Sequence, residues 1–268
     1  SVKGMFSYEK PNFNYTDNTL LTSVSSTETD NLSDSGYKTS NIGLSFGTSF
    51  EQYENLYFQP EINLTYEKLE TTSAAATNLK KQEGDYTDAY LNYSLDYDLR
   101  NKRYRPDEGF RHVFYQELPI VSDNLELTNS FDSTRYQKIL SNTITKISFY
   151  GKAVHTLNNK DVRISKRLYI PGNKLRGFEV GKVGPIQNSD YIGGNYITAV
   201  NFVATLPQIL PSFQNTDISF FIDAANIWGV DYDSTVNDSN QVRSATGIAM
   251  DILTPIGPLN FSLSQPIS

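Results

Sequence analysis

The chain has no cysteine, two histidines, one tryptophan and two methionines among 268 residues. Without cysteine there is neither a disulfide framework nor a thiolate metal site, an absence as compatible with a reducing compartment as with an exported protein that avoids thiols. His112 and His155 lie far apart and neither has paired carboxylates at ligand spacing, so no metal site is expected. No Gly-x-Ser-x-Gly elbow and no phosphate-cradling glycine loop occurs, so neither a catalytic residue nor a cofactor is expected. Lys and Arg number 23 against 30 Asp and Glu, a formal charge of −7, and no basic stretch offers a nucleic-acid footprint. No apolar run approaches the roughly 18 residues of a transmembrane helix. Ser1-Val2-Lys3-Gly4 opens directly into strand-like sequence with no signal peptide, so the chain reads as mature or truncated. None of this excludes a membrane, because a transmembrane barrel carries its apolar face on every second residue only.

What the chain does have is aromatic-rich alternation, with 18 Tyr and 15 Phe. Ile42, Leu44, Phe46 and Phe50 share one face, and Gly43, Ser45, Gly47, Ser49 and Glu51 the other. Ile62, Leu64 and Tyr66 oppose Asn63, Thr65 and Glu67; Ile248, Met250 and Ile252 oppose Ala249 and Asp251; Leu259, Phe261 and Leu263 oppose Asn260, Ser262 and Ser264. Successive side chains of a strand point to opposite faces, so these segments are strands, and about thirteen such segments can be counted. They fall near 1–9, 19–29, 40–51, 60–70, 86–98, 110–118, 123–135, 142–155, 161–169, 195–206, 216–228, 242–254 and 258–266. Most exceed the roughly five or six residues of a globular strand and match the roughly 9–11 needed to cross a bilayer at a tilt. Asn158-Asn159-Lys160 and Thr254-Pro255-Ile256-Gly257-Pro258 read as tight turns, and 30–39, 71–85 and 231–241 as long polar loops, the rim asymmetry of an outer-membrane barrel. A soluble β-sandwich or solenoid is the alternative, and no fixed repeat supports a solenoid or propeller. Asp231 and Asp233 lack the calcium-loop pattern and read as solvated loop charge. The Asn-x-Ser/Thr triplets at Asn14, Asn63 and Asn92 read as chance, and the protease-tag-like run from Glu54 to Gln59 reads as native hairpin sequence followed by Pro60.

Four stretches in order carry more than periodicity. They are Asp98-Leu99-Arg100-Asn101-Lys102-Arg103-Tyr104-Arg105-Pro106-Asp107-Glu108-Gly109-Phe110; Leu168-Tyr169-Ile170-Pro171-Gly172-Asn173-Lys174-Leu175-Arg176-Gly177-Phe178, followed by Gly181, Gly184 and Pro185; Ser219-Phe220-Phe221-Ile222-Asp223-Ala224-Ala225-Asn226-Ile227-Trp228; and the run from Thr246 to Leu259 with its Pro-x-Gly-Pro turn. Together these resemble the BamA family of outer-membrane protein insertases, TamA-like relatives included. The resemblance implies an all-β transmembrane antiparallel barrel, with residues 1–268 as a partial barrel domain covering roughly the third to the fifteenth of sixteen strands. It implies that the family's periplasmic repeats (POTRA domains), first two strands and closing strand have no counterpart here, so the chain reads as a fragment.

The resemblance also implies that residues 170–194 fold into the lumen as a conformational rather than catalytic loop, with Arg176, Gly177 and Phe178 as its motif and Gly172, Gly177 and Gly181 letting it turn back. Asp223 is the expected partner of Arg176, because parity places it opposite Phe220, Ile222 and Ala224 and an arginine fork can grip a carboxylate with two parallel bonds. The other reading leaves Arg176 in a solvated extracellular loop. Many relatives carry a second inward glutamate on the following strand; Val203 stands at that place here, so either the polar cluster that receives Arg176 is thinner than in those relatives or Asn201 substitutes. The function implied is assembly of client β-barrels into the bacterial outer membrane, with unfolded clients, accessory periplasmic lipoproteins and the lipid bilayer as partners. A two-partner-type polypeptide secretion pore of the same superfamily is the alternative.

Overall fold

Side chains that alternate in polarity every second residue need one wet face and one apolar face. The computed structural model describes residues 2–32, 36–73, 75, 77–140, 143–187, 190–207, 215–231, 236–238, 240–255 and 257–268. They form a twelve-stranded antiparallel sheet in which each strand pairs with its neighbours in sequence. In chain order these are β1 (Val2–Lys10), β2 (Thr19–Asn31), β3 (Tyr37–Tyr53), β4 (Leu56–Thr71), β5 (Gly84–Asp98), β6 (Gly109–Val121), β7 (Glu126–Leu140) and β8 (Thr143–Thr156). A two-residue ladder joins β9 (Ile186–Gln187) and β10 (Asp190–Tyr191), and the main sheet resumes with β11 (Tyr196–Pro207), β12 (Thr216–Trp228), β13 (Arg243–Thr254) and β14 (Gly257–Pro266). Among the described residues β1 and β14 each have a partner on one side only.

The apolar face points outward. Ile42, Phe46, Ile62, Phe220 and Ile222 are each half exposed or more, whereas Gly43, Ser45, Phe221 and Asp223 on the opposite parity are buried. A soluble sheet would hide the first set; here it forms the band that faces lipid. Aromatic rings run along the outer face from β3 to β8. Phe50, Phe58, Tyr93 and Phe114 follow one another at centroid spacings of 5.7, 6.0 and 6.1 Å, and Phe110, His112, Phe131 and Phe149 at 4.7, 6.0 and 6.4 Å. Such rings suit a membrane–water boundary, where one edge is apolar and the other wet.

The described core lies on the inner face, beneath the long segment 157–195 that joins β8 to β11. Val154, Ile197, Ala199, Ala225 and Ile227 from the wall pack against Val162, Leu168, Ile170 and Leu175 of that segment. A smaller cluster of Tyr37, Leu69, Ala75, Leu79 and Ile164 closes one side, and it includes the single helical turn α1 (Thr77–Lys80) within the 72–83 linker.

Two expectations require correction. The sheet has twelve strands rather than about thirteen, because 161–169 is not a strand: Ile164–Lys166 is a 3-10 turn inside the inserted segment. Its alternation has another cause. Val162, Ile164 and Leu168 are buried in apolar clusters, and the intervening Arg163 and Arg167 are buried as well, so both faces of the segment are covered. The tight turn at Asn158-Asn159-Lys160 is therefore no hairpin and sits on the rim with the long linkers. The opposite rim, called here the far rim, mixes two-residue turns such as 54–55 with the longer linkers 11–18 and 99–108. At 54–55 the hairpin closes with Tyr53 opposite Leu56 and Asn55 in the left-handed region at φ 62°, a conformation asparagine tolerates. The tag-like run from Glu54 to Gln59 is part of this hairpin.

Candidate functional site

On β12, Phe221, Asp223, Ala225 and Ile227 point inward by parity, and the register sets Asp223 directly opposite Asn201 on β11. Asp223 has no solvent exposure, at 0 %. A buried carboxylate must have its oxygens occupied by donors. Arg176 supplies three: Nε donates to Oδ2 at 2.7 Å, Nη2 to Oδ1 at 2.7 Å, and the backbone N–H to Oδ2 at 3.1 Å. Asn201 Nδ2 supplies the fourth, donating to Oδ1 at 2.8 Å. The four acceptor positions of the carboxylate are thus filled. The Arg176 guanidinium also lies over the Phe221 ring, 3.4 Å from its centroid, so one cation meets a carboxylate and an aromatic face from residues two apart on one strand.

The residues around Arg176 hold it in place. Lys174 reaches Asp132 on β7 and sits 4.8 Å from the centroid of Tyr150, while its carbonyl accepts a 2.8 Å bond from Asn201. Gly177 has φ 87°, and a β-carbon there would lie 3.1 Å from Ser264 Oγ and 3.5 Å from Ala245 Cβ, so the backbone passes close to β13 and β14. Phe178 packs against the inner apolar cluster. Gly172 faces Val180, and Gly181 adopts φ 82° in open space. Val203 has no acidic group to offer, and Asn201, two residues earlier on the same face, makes the polar contact.

A second polar cluster lies at the root of the inserted segment. Arg163 is 0 % exposed in its side chain and donates from Nη2 to Asp88 Oδ2 at 2.6 Å and Glu126 Oε2 at 2.7 Å, from Nε to Glu126 Oε1 at 3.1 Å, and from Nη2 to Tyr90 Oη at 3.2 Å. Its guanidinium is 4.5 Å from the centroid of Tyr86. Burial alone would disfavour the cation, but the hydrogen-bonded charge of Glu126, with Glu67 and Asp88 behind it, holds the Arg163 pKa above its ordinary value. Lys166 behaves in the same way: burial opposes its charge, and Glu117 at 3.0 Å, helped by Tyr90, outweighs it. Ser165 donates to Glu67 at 2.7 Å, and the Ile164 N–H donates to Gln82 Oε1 at 2.9 Å. The segment is therefore fastened to β4, β5, β6 and β7 on one wall and to β12 on the other.

Asp231 also has a structural role. It accepts from the Val162 N–H at 2.9 Å and from Asn195 Nδ2 at 2.9 Å, and it pairs with Arg167 at 3.5 Å. Asp233 lies outside the described residues. Among the described residues no group of three or more His, Asp or Glu side chains is arranged to hold a metal ion.

Sequence reasoning overlooks the Arg163 cluster. Arg163 and Arg167 alternate with Val162, Ile164 and Leu168 as the lumen-facing residues of a barrel strand would, so the segment reads as one more strand. Asp88 and Tyr90 share the inward parity of β5, which supplies the complementary wall.

Comparison with known proteins agrees with this architecture. The Omp85 superfamily domain matches residues 1–268. The sorting and assembly machinery component 50 homolog of Bos taurus is 25% identical over 166 residues, covering 59% of this chain and 35% of its own length. The SAM50-like protein of Schizosaccharomyces pombe is 23% identical over 210 residues, covering 74% of this chain and 44% of its own length. The chain thus spans less than half the length of these relatives. In fold it is similar to BamA from Haemophilus ducreyi lacking POTRA domains 1–3, with TM-score 0.86 and 23% identity over 99% of this chain and 58% of that one. It is less similar to CdiB from Acinetobacter baumannii, with TM-score 0.64 and 12% identity over 99% of this chain and 46% of that one. With an outward apolar band, a long segment docked on the inner wall and a superfamily domain matched from end to end, the chain belongs to the Omp85 superfamily of outer-membrane β-barrel proteins.

Proposed function

We propose that this chain is the barrel portion of an outer-membrane protein assembly factor that folds and inserts client β-barrels. The observation that carries this reading is the segment 157–195 packed on the inner face of the sheet, with Arg176 on the buried Asp223. A segment held by a charge-saturated carboxylate suits a barrel whose working surface is its wall and edges, where a client strand can add by backbone pairing. A passive channel gains nothing from a filled lumen. Client burial of apolar surface and backbone pairing supply the free energy, so no nucleotide, metal or catalytic side chain is required. The Bos taurus relative named as a sorting and assembly machinery component and the SAM50-like protein of Schizosaccharomyces pombe favour the same reading. The partners are unfolded barrel clients, accessory periplasmic lipoproteins and the bilayer, and the location is the bacterial outer membrane.

The test reconstitutes the intact protein in liposomes and times the gain of protease resistance by an unfolded small barrel protein. Acceleration over empty liposomes, lost in Arg176→Ala, is the expected result. No acceleration by a correctly folded protein would move the assignment to the secretion pore, for which steady conductance and one dedicated substrate are the signs.

A further inference from the structure

The linker 99–108 between β5 and β6 is the longest at the far rim, and it is braced along its length. Arg100 forks onto Asp98 with bonds of 2.8 and 2.6 Å, Lys102 and Asn101 both hold Asp107, and the Leu99 N–H donates to the Phe110 carbonyl at 2.9 Å. From this base Arg105, itself in the left-handed region at φ 50°, donates from Nε to Asp217 Oδ2 at 2.8 Å, with Nη2 on the same oxygen. Asp217 is the second residue of β12, the fourth strand beyond β6, with β7, β8 and β11 between them.

Four interstrand steps of about 4.8 Å put the two ends about 20 Å apart along the wall. A linker that runs out and back at about 3.3 Å per residue projects about 17 Å, and the arginine side chain covers the remainder. Asp217 shares the inward parity of Ser219, Phe221 and Asp223, so the contact is made across the mouth of the lumen and not around its outside.

The register explains why an arginine ends there. Asp217 lies directly opposite Asp251 on β13, and like charges facing each other across two strands destabilise the pairing. Arg105 provides the missing cation. The contact is nonetheless the weaker of the two arginine anchors on β12. Both nitrogens fall on one oxygen, Asp217 Oδ1 is buried with no partner among the described residues, and the Arg105 side chain is 41% exposed. Arg176, by contrast, grips both oxygens of a fully buried carboxylate. A half-exposed ion pair gains little over water, so it can open while the inner dock stays closed.

We propose that residues 99–108 form a strap across the far mouth of the lumen, latched by Arg105 on Asp217, and that release of this latch opens the lumen from that side. The strap acts on entry to the lumen, whether the protein inserts clients or secretes a substrate, so it stands apart from the assignment above.

The test places a cysteine at Thr205, whose hydroxyl meets Ser219 on the inner wall just above the latch at 3.2 Å, in the intact protein with any other cysteine replaced by serine. Labelling by a water-soluble maleimide is timed in nanodiscs. Arg105→Ala and Asp217→Arg are each expected to speed labelling by about fivefold, the scale of one exposed ion pair. The exchanged pair Arg105→Asp with Asp217→Arg is expected to restore the parental rate. Should Arg105→Ala fail to fold, Arg105→Gln, which keeps the length, carries the same expectation. Unchanged labelling in the single variants, or an exchanged pair as fast as they are, overturns the strap.

Discussion

Asn201 and Asp223 face each other directly across β11 and β12, and one amide nitrogen of Asn201 serves both the carboxylate of Asp223 and the carbonyl of Lys174. Wall and inserted segment are thus joined by a single side chain, independently of the arginine fork. Asn201→Leu removes both bonds at similar volume and leaves an oxygen of a buried carboxylate short of one donor. The expected loss is about 1.5–3 kcal/mol, the range for hydrogen bonds to charged groups. Asn201→Asp is expected to cost more, because it adds a like charge against Asp223 and can donate nothing when ionised. The unfolding midpoints of the two variants in detergent, compared with the parent, check the order.

Removing Arg163 strips the only cation among the described residues that is bonded to Asp88 and Glu126, both buried. Breaking a buried pair from one side leaves uncompensated charge and costs about 3–5 kcal/mol. Arg163→Met is therefore expected to loosen the root of the inserted segment even though Arg176 is untouched. Limited proteolysis should show new cleavage within 157–170, and restoring neutrality with Glu126→Gln in the same chain should recover part of the protection. Equal cleavage in parent and Arg163→Met would rule out the root as an anchor.

Gly177 and Gly181 have similar backbone angles, φ 87° and 82°, in different surroundings. An alanine at either one bears the left-handed cost of about 1–2 kcal/mol. At Gly177 the new methyl also meets Ser264 and Ala245, whereas at Gly181 nothing lies within 4 Å. Gly177→Ala is expected to be the more damaging, and to displace the segment from β13 and β14. Thermal unfolding of both variants decides; equal losses would mean that the close approach at Gly177 carries no energy.

The outward face was legible because lipid demands one apolar residue in every two, and Ile42, Phe46, Ile62, Phe220 and Ile222 obey that rule. Asp223 was legible for the same reason in reverse: an aspartate flanked by outward Ile222 and Ala224 has to point inward. The root of the inserted segment was not. Val162, Ile164 and Leu168 give the same two-residue rhythm as a strand, and nothing local reveals that Arg163 between two of them is buried against acids on β5 and β7. Those partners come together only once the sheet curls, so tertiary pairing and not local periodicity decides the conformation of 161–169. The strap at 99–108 was likewise visible as a motif, but its reach to Asp217 depends on curvature.

Asp231 holds Val162 and Asn195 on one carboxylate, and Leu168 and Gly194 exchange backbone bonds of 2.8 and 3.0 Å just inside that clasp. The entry and the exit of the segment therefore share one pivot. Most of the entropy of closing a long excursion is met at its neck, and lengthening its interior adds only slowly to that cost. If Arg176 lets go of Asp223, the excursion swings as a tethered body about a fixed root and returns without a new search.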